Sequence, residues 1–170
     1  MKKIFIGAVF VLLVFSVNSF AQSSQKYRKI SEMIADSQKT TGLFSDLLGA
    51  DLLGTNSVET TMLSAVTFPN EVKVKNLGEK QKLSKTRKKS TDKWLKEYGE
   101  MASEQKFYVN EIAVEEDGKR FWIIAHEKSV VEKLKNSAKS GDEIILKMRI
   151  LGFYKKGQTT DYFLMAESVK

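Results

Sequence analysis

The densest chemistry in this chain is a run of cations. Between Lys73 and Lys93 nine Lys and Arg side chains face only Glu79 and Asp92. Within that run Lys80, Lys82, Lys85, Arg87, Lys88, Lys89 and Lys93 sit close enough in sequence to meet one polyanion, which such side chains bind by releasing its counterions. The attraction works alike for nucleic acid, acidic glycans and anionic headgroups. Interleaved aromatics would mark a base-stacking surface, and none stands between Phe68 and Trp94, so nucleic acid is possible without being favoured. The competing reading is a solvated face with no ligand.

A second group lies nearer the carboxyl end. Trp122, Tyr108, Phe153, Tyr154 and Tyr162, with Lys147 and Arg149 beside them, would form a stacking platform if they shared one face of a sheet, whereas aromatics in strands also serve as core. His126 is the single histidine and Cys is absent, so a zinc site would need carboxylates around one imidazole. His126 reads as a surface residue at the end of a hairpin. There is no G-x-S-x-G, Gly-rich phosphate loop or H-E-x-x-H. The expectation is a protein with no catalytic residues, no metal and no cofactor.

The address is written at the amino end. Lys2 and Lys3 precede an apolar stretch from Ile4 to Val17, and Ser19-Phe20-Ala21 places small residues where a signal peptidase reads them. The leader is expected to be cleaved after Ala21 and to deliver the protein to the periplasm or exterior of a bacterium. About 14 apolar residues fall short of the ~20 that span a bilayer, so no transmembrane span is expected after its removal. Without Cys no disulfide can staple the fold, and stability must come from packing.

These side chains need elements to position them. Residues 22–58 read as a helical segment: Tyr27, Ile30, Met33, Ile34 and Ser37 recur at helical spacing and Gly42 is a natural stop. The segment is either laid against the main domain or is a mobile arm that docks on a partner through the apolar run at 43–53. From Thr60 the period changes, with Met62 to Phe68 as a bent or short strand before the Pro69-Asn70 turn. A strand over 70–75 then alternates Val72 and Val74 with Lys73 and Lys75. Residues 79–104 favour helix as a basic insertion, in which Trp94, Leu95, Tyr98, Met101 and Ala102 make an apolar face in the second half. Strands from Phe107 to Val114 and Arg120 to His126 flank Asp117-Gly118, a dipeptide suited to a tight hairpin turn. Val130, Val131, Leu134 and Ala138 predict a helix over 127–139, ending towards Gly141. A last hairpin joins Glu143–Tyr154 to Thr160–Val169, with Ile144, Leu146, Met148 and Ile150 on one side. Because Tyr162 to Met165 are consecutive apolar residues, the final strand should be covered on both faces.

The resulting order, three strands, a helix, two strands, resembles the OB-fold, a five-stranded Greek-key barrel with its helix between strands 3 and 4. The marks Gly141-Asp142, Ile144 to Ile150, Gly152-Phe153 and Tyr162 to Val169 are similar to the closing part of the tRNA-anticodon-binding-like OB family. The likeness covers about 60 residues, and 79–104 departs from the family's quick passage from first to second strand. It implies a mainly β fold with helices (α+β), an OB-like barrel over 59–170 preceded by the helical segment. OB-folds bind oligonucleotides, oligosaccharides, proteins and small ligands on similar faces, so the likeness implies no single function.

Two functions remain open. One is an exported, non-enzymatic binding module that holds an anionic polymer or ligand through the basic segment, the barrel face or both. The other is a structural or assembly protein of the envelope whose helical segment binds a protein partner.

Overall fold

A computed structural model describes residues 27–48, 59–63, 68–97, 102–156 and 159–170. The elements run α1 (Ile30–Leu48), β1 (Glu59–Leu63), β2 (Asn70–Lys82), α2 (Lys85–Glu97), a 3₁₀ turn (Ala102–Phe107), β3 (Tyr108–Glu116), β4 (Lys119–His126), a π-type turn (Glu127–Glu132) running into α3 (Lys133–Ser137), β5 (Glu143–Lys156) and β6 (Thr159–Val169). The expected leader with its cleavage after Ala21, the apolar run from 49 onward, and Tyr98 and Met101 of the expected apolar face lie outside the described residues.

Five strands close into a ring. β2 pairs antiparallel with β5 on one side and β3 on the other, β3 pairs with β4, β4 runs parallel to β6, and β6 returns antiparallel to β5. β1 adds to the outer part of β5, Glu59 opposite Lys156. The ring is uneven: the parallel seam joins only Ile123, Ile124 and Ala125 to Leu164, Met165 and Ala166, whereas β5 and β6 pair along most of their length.

Alternation fills it. Val72, Val74, Ile112, Val114, Ile123, Ala125, Ile144, Leu146, Met148, Ile150, Leu164 and Ala166 form one buried cluster inside the ring, as the two-residue period of a strand requires. Val130, Val131 and Leu134 close one end of this cluster. Ile30 and Met33 of α1 join it as well, at 0% and 4% exposure. The first turns of α1 are thus part of the main core, against the reading of the whole segment as a mobile arm. Each such side chain contributes about 1.5–3 kcal/mol by burial. The start of α1 is held by a carboxylate from the β3–β4 hairpin: Glu116 accepts from the backbone N–H of Ile30 at 2.7 Å and of Ser31 at 3.2 Å. A negative charge at a helix N-terminus also complements the helix dipole.

The hairpin turn has positive φ at both central residues, 51° at Asp117 and 75° at Gly118, as the type I′ geometry demands. Ile144, Leu146, Met148 and Ile150 face inward together, and β6 is covered on both faces, with Leu164 and Ala166 inside and Phe163 and Met165 in a second cluster outside.

Four expectations need correction. The helix α1 does not stop at Gly42 but continues to Leu48, because one glycine costs only about 1 kcal/mol in a helix and no proline follows. The strand expected over 70–75 continues to Lys82. Between the Asn76–Val114 and Lys80–Ile112 pairs β2 carries two more residues than β3, a bulge turned by Gly78 at φ 72°, and beyond it pairing resumes. The basic segment therefore begins as strand, and its helix is confined to Lys85–Glu97. Phe68 is not strand core: it is 80% exposed beside Pro69. His126 is not a surface residue. It is 8% exposed, packs against the rings of Phe107 and Tyr108, and its Nδ1 accepts from the Ser129 N–H at 3.2 Å to cap the following turn. Hydrophobic alternation located the end of that strand without showing that the 3₁₀ turn would fold over it.

Candidate anion-binding surface

Helix α2 is amphipathic in an unusual sense, because one face is anchored by an arginine. Ser84 starts it, its Oγ accepting from the Arg87 N–H at 3.2 Å, a standard use of serine at this position. Arg87, Thr91, Trp94 and Leu95 follow at i, i+4, i+7 and i+8 and share a face. Trp94 and Leu95 are buried with Tyr108, Ile124, Leu151, Phe163 and Met165 in the second cluster. Outside the ring α2 therefore lies across strands β3, β4, β6 and β5. Lys88 pairs with Asp92 one turn on, and Gln105 donates to the Asp92 carbonyl at 3.2 Å, joining the 3₁₀ turn to the helix.

The structure divides the sequence candidates sharply. Arg87 is ion-paired with Glu111 and with Asp161, the latter at 2.7 Å, and its guanidinium stacks 4.9 Å from the Phe163 ring centre. Arg149 pairs with Glu167 and lies over Trp94 at 5.5 Å. Lys80 is 3.8 Å from Glu127. Arg87, Lys88 and Arg149 are thus each paired with a carboxylate of the fold. Lys82, Lys85, Lys89 and Lys93 are exposed. Lys147 is exposed on the outer side of β5, two residues, or about 7 Å, along the strand from Arg149.

The aromatic platform does not assemble as expected. Tyr108 is fully buried, and burial first, with the charge of Glu167 adding, pushes its phenol above its ordinary pKa. Phe153 and Tyr162 form a separate pair with ring centres 6.2 Å apart. Tyr154 sits in β5 opposite Thr61 and Asp161, and its side chain lies outside the described residues. Trp122, like Phe153 and Tyr162, is partly open, with Arg120 stacked over it at 4.8 Å.

What survives is a row. Lys85, Lys89, Lys93 and Lys96 are all exposed and follow one another at i, i+4, i+8 and i+11, one side of a helix, spanning about 16 Å at 1.5 Å per residue. Lys96 was not among the sequence candidates. The i, i+4 spacing was available in the sequence, but it signals one face only once the helix is known to start at Ser84 and to bury Arg87. The other residue missed was Glu111, 3% exposed in the middle of β3; a carboxylate among apolar strand residues was the signal that some cation must cross to meet it.

The row sets four ammonium groups in line along one side of α2, and cations in such an array attract polyanions by counterion release. Among the described residues no group of three His, Cys, Asp or Glu side chains converges on a metal position. Among the described residues no helix is long and apolar enough to cross a membrane. Compared with protein families, curated proteins and solved structures, the chain matches none.

Proposed function

We propose that this is an exported, non-enzymatic binding module with an OB-like barrel that holds an anionic polymer along α2. The order of the five ring strands and the placing of α3 between the third and fourth of them support the OB-like reading, since that is where the OB-fold carries its helix. On this reading α2 lies in the connection between the first and second barrel strands, one of the two loops by which OB-folds hold oligomers. The observation that carries the function is the exposed row Lys85, Lys89, Lys93 and Lys96 on a helix locked to the barrel by Arg87 and Trp94. A rigid row loses less entropy on binding than four lysines on a loop.

The barrel face itself is the weaker candidate, because α2 covers Ile124, Phe163 and Met165 there. The test is retention on heparin as a function of salt, for the protein and for a Lys85→Glu, Lys89→Glu, Lys93→Glu variant. Salt-sensitive retention that the variant loses while keeping its melting temperature supports the reading. Equal retention of both removes it.

A further inference from the structure

We infer that the β2 bulge opens a second, independent site for a small amphipathic carboxylate. A cavity of about 360 Å³ lies between the bulge and α3, with Ile112, Val131, Leu134 and Ala138 as its apolar wall and Lys80 and Lys135 at its rim. That volume falls at the lower end of the range that small-ligand pockets occupy, and the combination of apolar wall with few polar groups is their usual character.

The opening is built into the backbone. β2 and β3 part between Asn76 and Lys80, where β2 carries its two extra residues, and bulges of this kind commonly lie beside binding sites. The mouth is fixed by a lattice of hydrogen bonds to the loop after α3. The Asn76 N–H donates to Asp142 O at 2.8 Å, the Gly141 N–H to Asn76 O at 2.7 Å, the Ser140 hydroxyl to Leu77 O at 2.9 Å and the Asn76 side-chain amide to Lys139 O at 3.1 Å. Gly78 has no room for a side chain, since a Cβ there would sit 2.9 Å from the Ser140 Cβ. The cavity is therefore preformed, and binding needs no ordering of its walls.

Charge selects the occupant. Two of the ionised groups at the rim are already neutralised, Glu79 by Arg120 and Lys80 by Glu127. Lys135 is exposed and has no ion-pair partner among the described residues, so the rim carries one uncompensated positive charge over an apolar wall. The matching ligand has one anionic head on a short hydrocarbon body.

The experiment is an amide chemical-shift titration of the protein with octanoate and, separately, with octylamine. Octanoate should shift Ile112, Leu134 and Ser140, with octylamine at least tenfold weaker. Ala138→Trp, which fills the cavity, should abolish the shifts, and Lys135→Glu, at an exposed position, should weaken octanoate tenfold with the fold unchanged. Equal binding of the two amphiphiles, octanoate shifts that persist in Ala138→Trp, insensitivity to Lys135→Glu, or no shifts up to millimolar octanoate would each overturn the assignment. Because the α2 row lies elsewhere, the triple lysine variant should bind octanoate as the unaltered protein does, and loss of octanoate binding in it counts against two separate sites.

Discussion

The guanidinium of Arg87 on α2 and the carboxylate of Glu111 on β3 form an ion pair in which the side chains are only 12% and 4% exposed. Gln81 donates to the other oxygen of Glu111 at 2.7 Å, so a single carboxylate joins β2, β3 and α2. Removing one member of a buried pair leaves the other charge without compensation, which costs about 3–5 kcal/mol. Arg87→Met should therefore lower unfolding stability by about 3 kcal/mol in urea titrations. Arg87→Met with Glu111→Leu should recover most of that loss, because a well-packed apolar pair replaces an ionic one at little cost. If the double variant is no more stable than the single one, the pair is not the anchor of α2.

The exposed row predicts a definite salt response. Four lysines contacting a single-stranded polyanion give a slope of log K against log salt of roughly −3. Converting Lys85, Lys89 and Lys93 to Glu should flatten the slope towards zero in fluorescence anisotropy with a labelled oligonucleotide or heparin fragment. Arg87 is the wrong residue to change in this test, since its loss acts on the fold. An unchanged slope in the triple variant points the anion elsewhere.

Glu116 predicts a coupling between the hairpin and the amino-terminal helix. Loss of a side chain that accepts from helix N-terminal amides costs about 0.5–2 kcal/mol, so Glu116→Ala should destabilise by about 1–2 kcal/mol and speed hydrogen exchange in α1 before it affects β5. Deleting residues 22–58 should do more, since Ile30 and Met33 leave the main cluster. Retention of the full melting temperature by that deletion variant would show α1 to be dispensable to the core.

Tyr108 gives a pH prediction. Its hydroxyl is buried with no hydrogen-bond partner among the described residues, and burial raises its pKa in the fold. In the unfolded chain a tyrosine ionises near pH 10. A group whose pKa is higher folded than unfolded contributes fully below the unfolded value and loses that contribution as pH rises above it. Stability should fall above about pH 10 more steeply than in Tyr108→Phe, and at neutral pH that variant should be as stable or up to about 1 kcal/mol more so, because an unsatisfied hydroxyl has gone. A loss of more than about 1 kcal/mol at neutral pH in denaturant titrations would mean that the hydroxyl has a partner.

Much of the architecture was legible because it is written in alternation. Ile144, Leu146, Met148 and Ile150 could lie on one side only if β5 were a half-buried strand, and Asp117-Gly118 could turn only a tight hairpin. The limits fall where a single residue outweighs the local pattern. Residues 80–82 are polar and look helical, yet they pair with β3 because the bulge at Gly78 brings the chain back to a partner strand already in place. The cations of 80–93 looked equivalent in sequence, and what separates Arg87 from Lys89 is a carboxylate 24 positions away in β3. Long-range pairing of this kind leaves no periodic trace. The lysine row was half visible: its spacing was present, but the helix boundary that turns spacing into a face depends on Ser84 and on burial of Trp94.

The carboxylate of Glu116 also sets an order of events. The first turn of a helix is the costly one to make, and here two of its free amides find their acceptor on a hairpin some 85 residues later in the chain. α1 gains that help once β3 and β4 have met, so it is expected to dock late, as a latch on a ring of strands already closed. Changes at Ile30 should then quicken the opening of the molecule far more than they slow its assembly, the mark of contacts made after the rate-limiting step.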